Sequence, residues 1–307
     1  MGVFQLGMSS MVDDALDYHQ EAFSTQALQS AAATAARASG ASPALPRLGQ
    51  ISFINCLPVA LPIERGAVPV SARVVYGSPA ELNSLMADGE IEVSAMSSFF
   101  YLQHGRLDLV PGLSISCDGA VGSVLFFSKL PFNQLSGKRI AVPASSATSV
   151  NLLRLLLLEE AGVSVDVVVQ AEPSPEAAHV DGALVIGDLA LRKDVDWACR
   201  YWRADLGQWW LNRTGLPMVF GLWAARSDWA TAHPHRFQHI SHSLAEAVSL
   251  GLGRLFAAVV CEAQSRTHLQ SSSLQSYFQR QLNYELSPGH MAGLQHFCQL
   301  CRHYRLL

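Results

Sequence analysis

Two long apolar runs, residues 121–128 (VGSVLFFS) and 219–225 (VFGLWAA), limit what this chain can fold into more than any other feature. Both are rich in β-branched and aromatic residues, the composition of strands buried on both faces. Each is long enough to leave one sheet and enter another. Between them lie a turn and strand in residues 135–143, a helix over 150–162, and strands at 165–170 and 183–186. Two crossings around an inserted strand–helix segment imply two lobes with a ligand cleft where they join. The expected division is residues 48–123 plus 222–307 against residues 124–221.

The first lobe reads as parallel α/β. Residues 51–55 are expected as its first strand, with Pro58 ending the ladder because it has no N–H to donate. Residues 70–76 form a second strand. Ser78, Pro79 and Glu81 then supply a cap, an N1 proline and an N3 acid for a helix ending near Gly89. Residues 91–95 make a third strand, and Ser97 and Ser98 open a further helix. The end of the chain, residues 241–307, reads as helices around 244–264, 274–281 and 288–302.

Half of the 307 residues are hydrophobic and 15% are charged, enough for a sizeable core. A net charge of −4 leaves no electrostatic footprint for nucleic acid. No apolar run reaches the roughly 18 residues of a membrane span, and residues 152–158 are interrupted by Arg154. The six cysteines are scattered through apolar surroundings, as suits reduced, buried thiols of a cytoplasmic protein. Cys298 and Cys301 share one helix face without a partner pair, which reads as packing rather than a redox or zinc site. None of the eleven histidines shows ligand spacing, so no metal and no cofactor are expected. Residues 1–47, with an Ala/Ser/Thr/Gly/Pro tract and neither a basic start nor an apolar core, read as a flexible extension, not a signal peptide.

Polar side chains gather where strands end, the place at which open α/β sheets bind ligands. Asn55 follows the first strand, and reads either as a cap or as a ligand-binding amide. Ser97 and Ser98 form a second group, again a cap or a site. Ser123 stands at the lobe crossing. The richest turn holds Ser145, Ser146, Thr148 and Ser149 before a helix. One hydroxyl suffices for capping; several, with the free N–H groups and positive dipole end of the helix, make a carboxylate site without Lys or Arg. Asp188 either caps the helix after the strand ALVI or places a carboxylate at the cleft. Asp205 caps a helix that carries Trp209 and Trp210.

Six segments stand in the order of one known family: ISFINCLP (51–58), SAMSSFFY (94–101), GSVLFFS (122–128), PASSATSVNLLRLLL (143–157), ALVIGDLAL (183–191) and DLGQWWLNRTGLPMVFGLWAAR (205–226). Together they resemble the MqnA/MqnD family of menaquinone-pathway proteins, and more closely its MqnA branch. The resemblance implies a two-lobed periplasmic-binding-protein-like (type II) α/β fold with two chain crossings and an interlobe cleft. It further implies dehydration of chorismate to 3-[(1-carboxyvinyl)oxy]benzoate in the futalosine route. The sister branch, a dihydroxynaphthoate synthase, is expected to use a histidine near the turn that here spans residues 143–149 and holds none.

That reaction suits the residues. Chorismate is a dianion whose C3 hydrogen is vinylogous to the ring carboxylate, so its removal spreads charge through the diene. Loss of the C4 hydroxyl then aromatises the ring, a step that needs orientation more than a strong base. Asn55 and Ser123 are the expected catalytic groups. Ser97, Ser98, Ser145, Ser146, Thr148, Ser149 and Asp188 are the expected binding groups. With no His, Lys or Glu at these positions, the enolpyruvyl carboxylate of the substrate itself becomes the candidate proton acceptor. The partner is thus a small molecule, with no nucleic acid or membrane. A non-catalytic binding protein of the same fold should carry an export signal, and a regulator's effector domain a helix-turn-helix; the first 47 residues show neither.

Overall fold

The first strand, β1 (Arg47–Ile51), begins and ends earlier than the apolar pattern suggests. The computed structural model describes residues 44–307, so most of the expected N-terminal extension lies outside the described residues. Its last residues do not: Arg73 N–H donates to Pro46 O at 2.8 Å, and Arg47 opens the sheet. Beyond Ile51 the chain turns through a 3-10 segment (Ile54–Cys56) directly into helix α1 (Leu57–Glu64). Pro58 sits in the first turn of that helix, where its fixed φ fits and its missing N–H costs nothing; it does not terminate a strand. Asn55 is therefore carried on the 3-10 turn between strand and helix.

The order continues β2 (Arg73–Gly77), α2 (Pro79–Ala87), β3 (Val93–Ser97), α3 (Ser98–His104), β4 (Leu107–Cys117) and β5 (Val124–Ser128). Next come β6 (Arg139–Pro143), α4 (Ala147–Ala161), β7 (Asp166–Gln170), β8 (Gly182–Ile186), α5 (Gly187–Ala198), β9 (Trp202–Asp205), α6 (Leu206–Thr214) and β10 (Met218–Arg226). The C-terminal part holds α7 (Ser227–Ala232), α8 (Pro234–Leu252), α9 (Phe256–Thr267), α10 (Ser271–Ser276), a π-helical turn (Tyr277–Gln281), β11 (Asn283–Glu285) and α11 (Pro288–His303). The capping box before α2 forms as its sequence dictates: Glu81 N–H donates to Ser78 Oγ at 3.3 Å, and Ser78 N–H to Glu81 Oε2 at 2.7 Å.

These strands make two sheets, ordered β11-β4-β10-β3-β1-β2 and β7-β6-β8-β5-β9. Neither is purely parallel. β1 pairs in parallel with β2 and β3, and β6 with β7 and β8; β10 runs antiparallel to β3 and β4, and β5 antiparallel to β8 and β9. The two apolar runs do not span both sheets. β5 belongs wholly to the second and β10 wholly to the first, so the chain passes between sheets in the loop 118–123 and returns before Met218. Asp205 ties both passages together. Its carboxylate accepts from the N–H groups of Val121 (3.0 Å) and Gly122 (2.7 Å) on the outward passage, and caps α6 through Gly207 (3.0 Å) and Gln208 (3.1 Å).

The core follows from burial of the strand faces, with Leu48, Val93, Phe126, Phe127 and Trp223 all shielded from solvent. Helix α8 lies on α1 closely enough that a Cβ on Gly251 would stand 2.0 Å from Pro58 O; only glycine permits that approach. The expected single helix over 244–264 is two, broken at Gly253. Cys298 and Cys301 are buried in α11 as free thiols. No single helix among the described residues is long and apolar enough to cross a membrane.

Candidate active site

A cleft lies among strand ends of both sheets. Ile51, Phe53, Asn55, Met96, Ser97, Ile115 and Phe220 line it from the first sheet. Ser123, Val124, Ser146, Ser149, Ile186 and Gly187 line it from the crossing and the second. No Lys, Arg, Asp, Glu or His contributes to the lining. Its polar groups are hydroxyls, one amide and the starts of helices, all neutral.

Asn55 is fixed by its backbone rather than its side chain. Its carbonyl accepts from Tyr284 Oη at 2.7 Å, and the preceding Ile54 N–H donates to Asp188 Oδ1 at 3.3 Å. The Asn55 Oδ1 itself is buried and has no hydrogen-bond partner. Leaving such an acceptor unpaired costs about 1–3 kcal/mol. Ser123 is 3% exposed and sits in the crossing loop beside β5. Its Oγ accepts from Tyr277 Oη at 2.9 Å, and its carbonyl accepts from Gly187 N–H at 2.7 Å.

At the start of α4, Ser146 Oγ accepts from Ser149 N–H at 3.3 Å and donates to Ser149 Oγ at 2.8 Å. One hydroxyl thus does the capping, and the other keeps its own proton to donate. Ser97 caps α3 by accepting from Phe100 N–H at 3.3 Å, with Asn83 Nδ2 at 3.4 Å on the same oxygen. Helix α5 opens on Gly187 at φ +59°, a left-handed conformation suited to glycine, and has no side-chain cap. The N-terminal end of α4, with no acidic residue in its first turn, borders the cleft, where its dipole favours an anion; the first turn of α5 carries Asp188.

Five of the expected residues, Asn55, Ser97, Ser123, Ser146 and Ser149, meet on this one cleft. Four do not line it. Ser98 and Thr148 are buried against each other, with Oγ and Oγ1 3.2 Å apart; Thr148 Oγ1 accepts from Phe99 N–H at 3.0 Å, and Ser98 Oγ donates to Val219 O at 2.7 Å. They join α3 to α4, and so the two sheets' helices to each other. Ser145 and Asp188 line a neighbouring hollow with Glu172 and Arg192, separated from the cleft by Phe53 and Ile186, which border both. Burial raises the pKa of Asp188 from its ordinary range, partly countered by the Ile54 N–H and by Arg192. Asp188 neither lines the cleft nor caps α5, whose N-cap is Ile186 with no side-chain bond; it holds the 3-10 turn after β1 through Ile54 N–H.

Two tyrosines behind the cleft, Tyr277 and Tyr284, escaped the sequence reading, because a π-helical turn has no spacing signature and the surrounding residues 271–286 show no motif. Cys56 also borders the cleft; burial, with Asp188 nearby, pushes its thiol up to about 12, which keeps it protonated and unreactive. Among the described residues no three His, Cys, Asp or Glu side chains are grouped to hold a metal ion.

The comparisons with known proteins agree with this geometry. The sequence model of a menaquinone-biosynthesis family matches residues 46–303. A chorismate dehydratase of Thermus thermophilus is 35% identical over 242 residues, covering 74% of this chain and 86% of that protein. Among solved structures, a protein of Archaeoglobus fulgidus superposes with a TM-score of 0.70 at 20% identity, over 85% of this chain and 98% of that one. The alkanesulfonate-binding protein SsuA of Xanthomonas axonopodis pv. citri, bound to MOPS, gives 0.64 at 18% identity, over 87% and 96%. At these identities the structural matches speak to fold, and the fold is the two-lobed one of periplasmic binding proteins.

Proposed function

The chain belongs to the menaquinone-biosynthesis family, and on that premise we propose that it is a hydro-lyase converting chorismate to 3-[(1-carboxyvinyl)oxy]benzoate and water. The observation that carries the reading is a cleft between two sheets whose polar lining consists entirely of uncharged donors and acceptors. The 35% identical chorismate dehydratase supports the same assignment.

In this reading the Ser146–Ser149 pair and the first turn of α4 receive one carboxylate of the dianion. Ser123, and the uncapped start of α5, face the other. The Asn55 amide hydrogen-bonds the C4 hydroxyl and sets its direction. The C3–H bond then breaks, its proton passing to the enolpyruvyl carboxylate of the same molecule. The electron pair delocalises onto the ring carboxylate, held by hydroxyls, and returns to expel the C4 hydroxyl, which takes the proton back from the enolpyruvyl carboxylic acid and leaves as water. Positioning and charge stabilisation carry such a step. The lobe division, residues 48–123 and 222–307 against 124–221, belongs to the same proposal.

Purified protein incubated with chorismate should produce the substituted benzoate, seen by chromatography and mass. Chorismate that binds, as read by calorimetry, but stays intact over hours would leave a binding protein and refute the dehydratase.

A further inference from the structure

We propose that Tyr277 is a positioning residue for Ser123, holding the serine hydroxyl so that its proton points into the cleft. The inference deepens the chorismate dehydratase reading and rests on it. Tyr277 is 1% exposed, and its hydroxyl donates to Ser123 Oγ across 154 residues of sequence. A serine oxygen that accepts from behind keeps its own O–H and one further lone pair for the front. Ser123 is thereby held in place with its O–H free to donate to a carboxylate or to developing negative charge. Burial pushes the Tyr277 phenol well above its ordinary range, so it stays a donor at all working pH values.

The local backbone is built for this contact. Tyr277 opens the π-helical turn, the wider turn that recurs at functional sites in helices. The same segment then enters β11, anchored to β4 by Ser116 Oγ donating to Asn283 O at 3.0 Å and Ser114 Oγ donating to Glu285 O at 2.7 Å. Tyr284, between those anchors, donates to the Asn55 carbonyl. One short C-terminal segment thus backs both expected catalytic residues, which lie far apart in sequence and on different sides of the cleft. Core packing alone explains two buried rings; it does not explain why both hydroxyls end on Asn55 and Ser123.

The test is a double-mutant cycle of Tyr277→Phe and Ser123→Ala with chorismate as substrate. Tyr277→Phe should lower kcat about tenfold with KM within about twofold. In the Ser123→Ala background the same change should cost less than about twofold, because the group it positions is gone. Equal losses in both backgrounds would overturn the positioning role, since a purely structural tyrosine acts whether or not Ser123 has a hydroxyl. A crystal structure of Tyr277→Phe reads the point without any substrate. Ser123 Oγ should leave its wild-type rotamer or occupy several; an unmoved Oγ overturns the proposal. Wild-type protein that leaves chorismate untouched would refute the dehydratase and leave this second measurement to decide the role of Tyr277.

Discussion

Thr148→Val separates a structural hydroxyl from a substrate-binding one in the same turn. Thr148 Oγ1 is the acceptor for the buried Phe99 N–H (3.0 Å) and a neighbour of Ser98 Oγ (3.2 Å). Valine keeps the shape and removes the acceptor. Ser98 retains its bond to Val219 O, so the loss falls on the Phe99 amide. An unsatisfied buried N–H costs about 1–3 kcal/mol, and the added methyl offsets up to about 0.8 kcal/mol. The net loss is about 1–2 kcal/mol, which at about 2.1 cal/mol/K per residue lowers Tm by about 1.5–3 °C in a chain of 307 residues. Circular-dichroism melts and urea unfolding at constant m should show it. Turnover of chorismate, measured below the melt, should keep kcat/KM within about threefold of wild type. An unchanged Tm together with a hundredfold loss of kcat/KM would refute the argument and return Thr148 to the substrate.

Asn55→Ala and Ser123→Ala should each lower kcat/KM by about 10² or more, and near-wild-type steady-state rates would remove them from the site; Ser123→Ala should also lower Tm, because it strips the buried Tyr277 hydroxyl of its acceptor. Burial raises the folded pKa of Asp188, so the folded state holds its proton more tightly than the unfolded chain. Its contribution is fully favourable below the unfolded value of 3.8 and is lost as pH rises through the folded pKa. Asp188→Asn should therefore gain stability over wild type at neutral pH, with the gap closing on acidification; a pH series of urea midpoints with a constant gap would contradict this. With its thiol held up to about 12, Cys56 should resist iodoacetamide at about pH 8 in the folded protein while exposed Cys199 and Cys261 react, as peptide mass spectrometry would show. Equal labelling of all three would place Cys56 in contact with solvent.

Much of this architecture was legible because α/β sheets put polar turns at strand ends. That rule alone brings Asn55, Ser97, Ser123, Ser146 and Ser149 to one cleft. It cannot say which way each hydroxyl in a turn faces. Ser146 and Ser149 are three apart and share a helix face, whereas Thr148, between them, points to α3. Strand β4 escaped notice because Pro111 and Gly112 interrupt it, and β9 because it is short and carries Arg203. The offset of β1 came from Phe53 and Ile54, apolar residues that read as strand but serve the cleft and the core from a 3-10 turn. Tyr277 and Tyr284 act through contacts with residues 154 and 229 positions away, and no local pattern encodes such distances.

The neutrality of the lining is itself a mechanistic argument. A guanidinium or ammonium would bind a dianion more tightly, but it would also draw electron density from the carboxylate that must take the C3 proton. Hydroxyls and helix N-termini bind the same carboxylate while lowering its basicity less. Asp188 and Arg192 line their own hollow, on the other side of Phe53 from the cleft. If the substrate supplies the base, as proposed, that base must stay unpaired with cations, and a lining with serines and no Lys or Arg meets this condition. In the proposed reaction the Asn55 amide hydrogen-bonds the hydroxyl that departs.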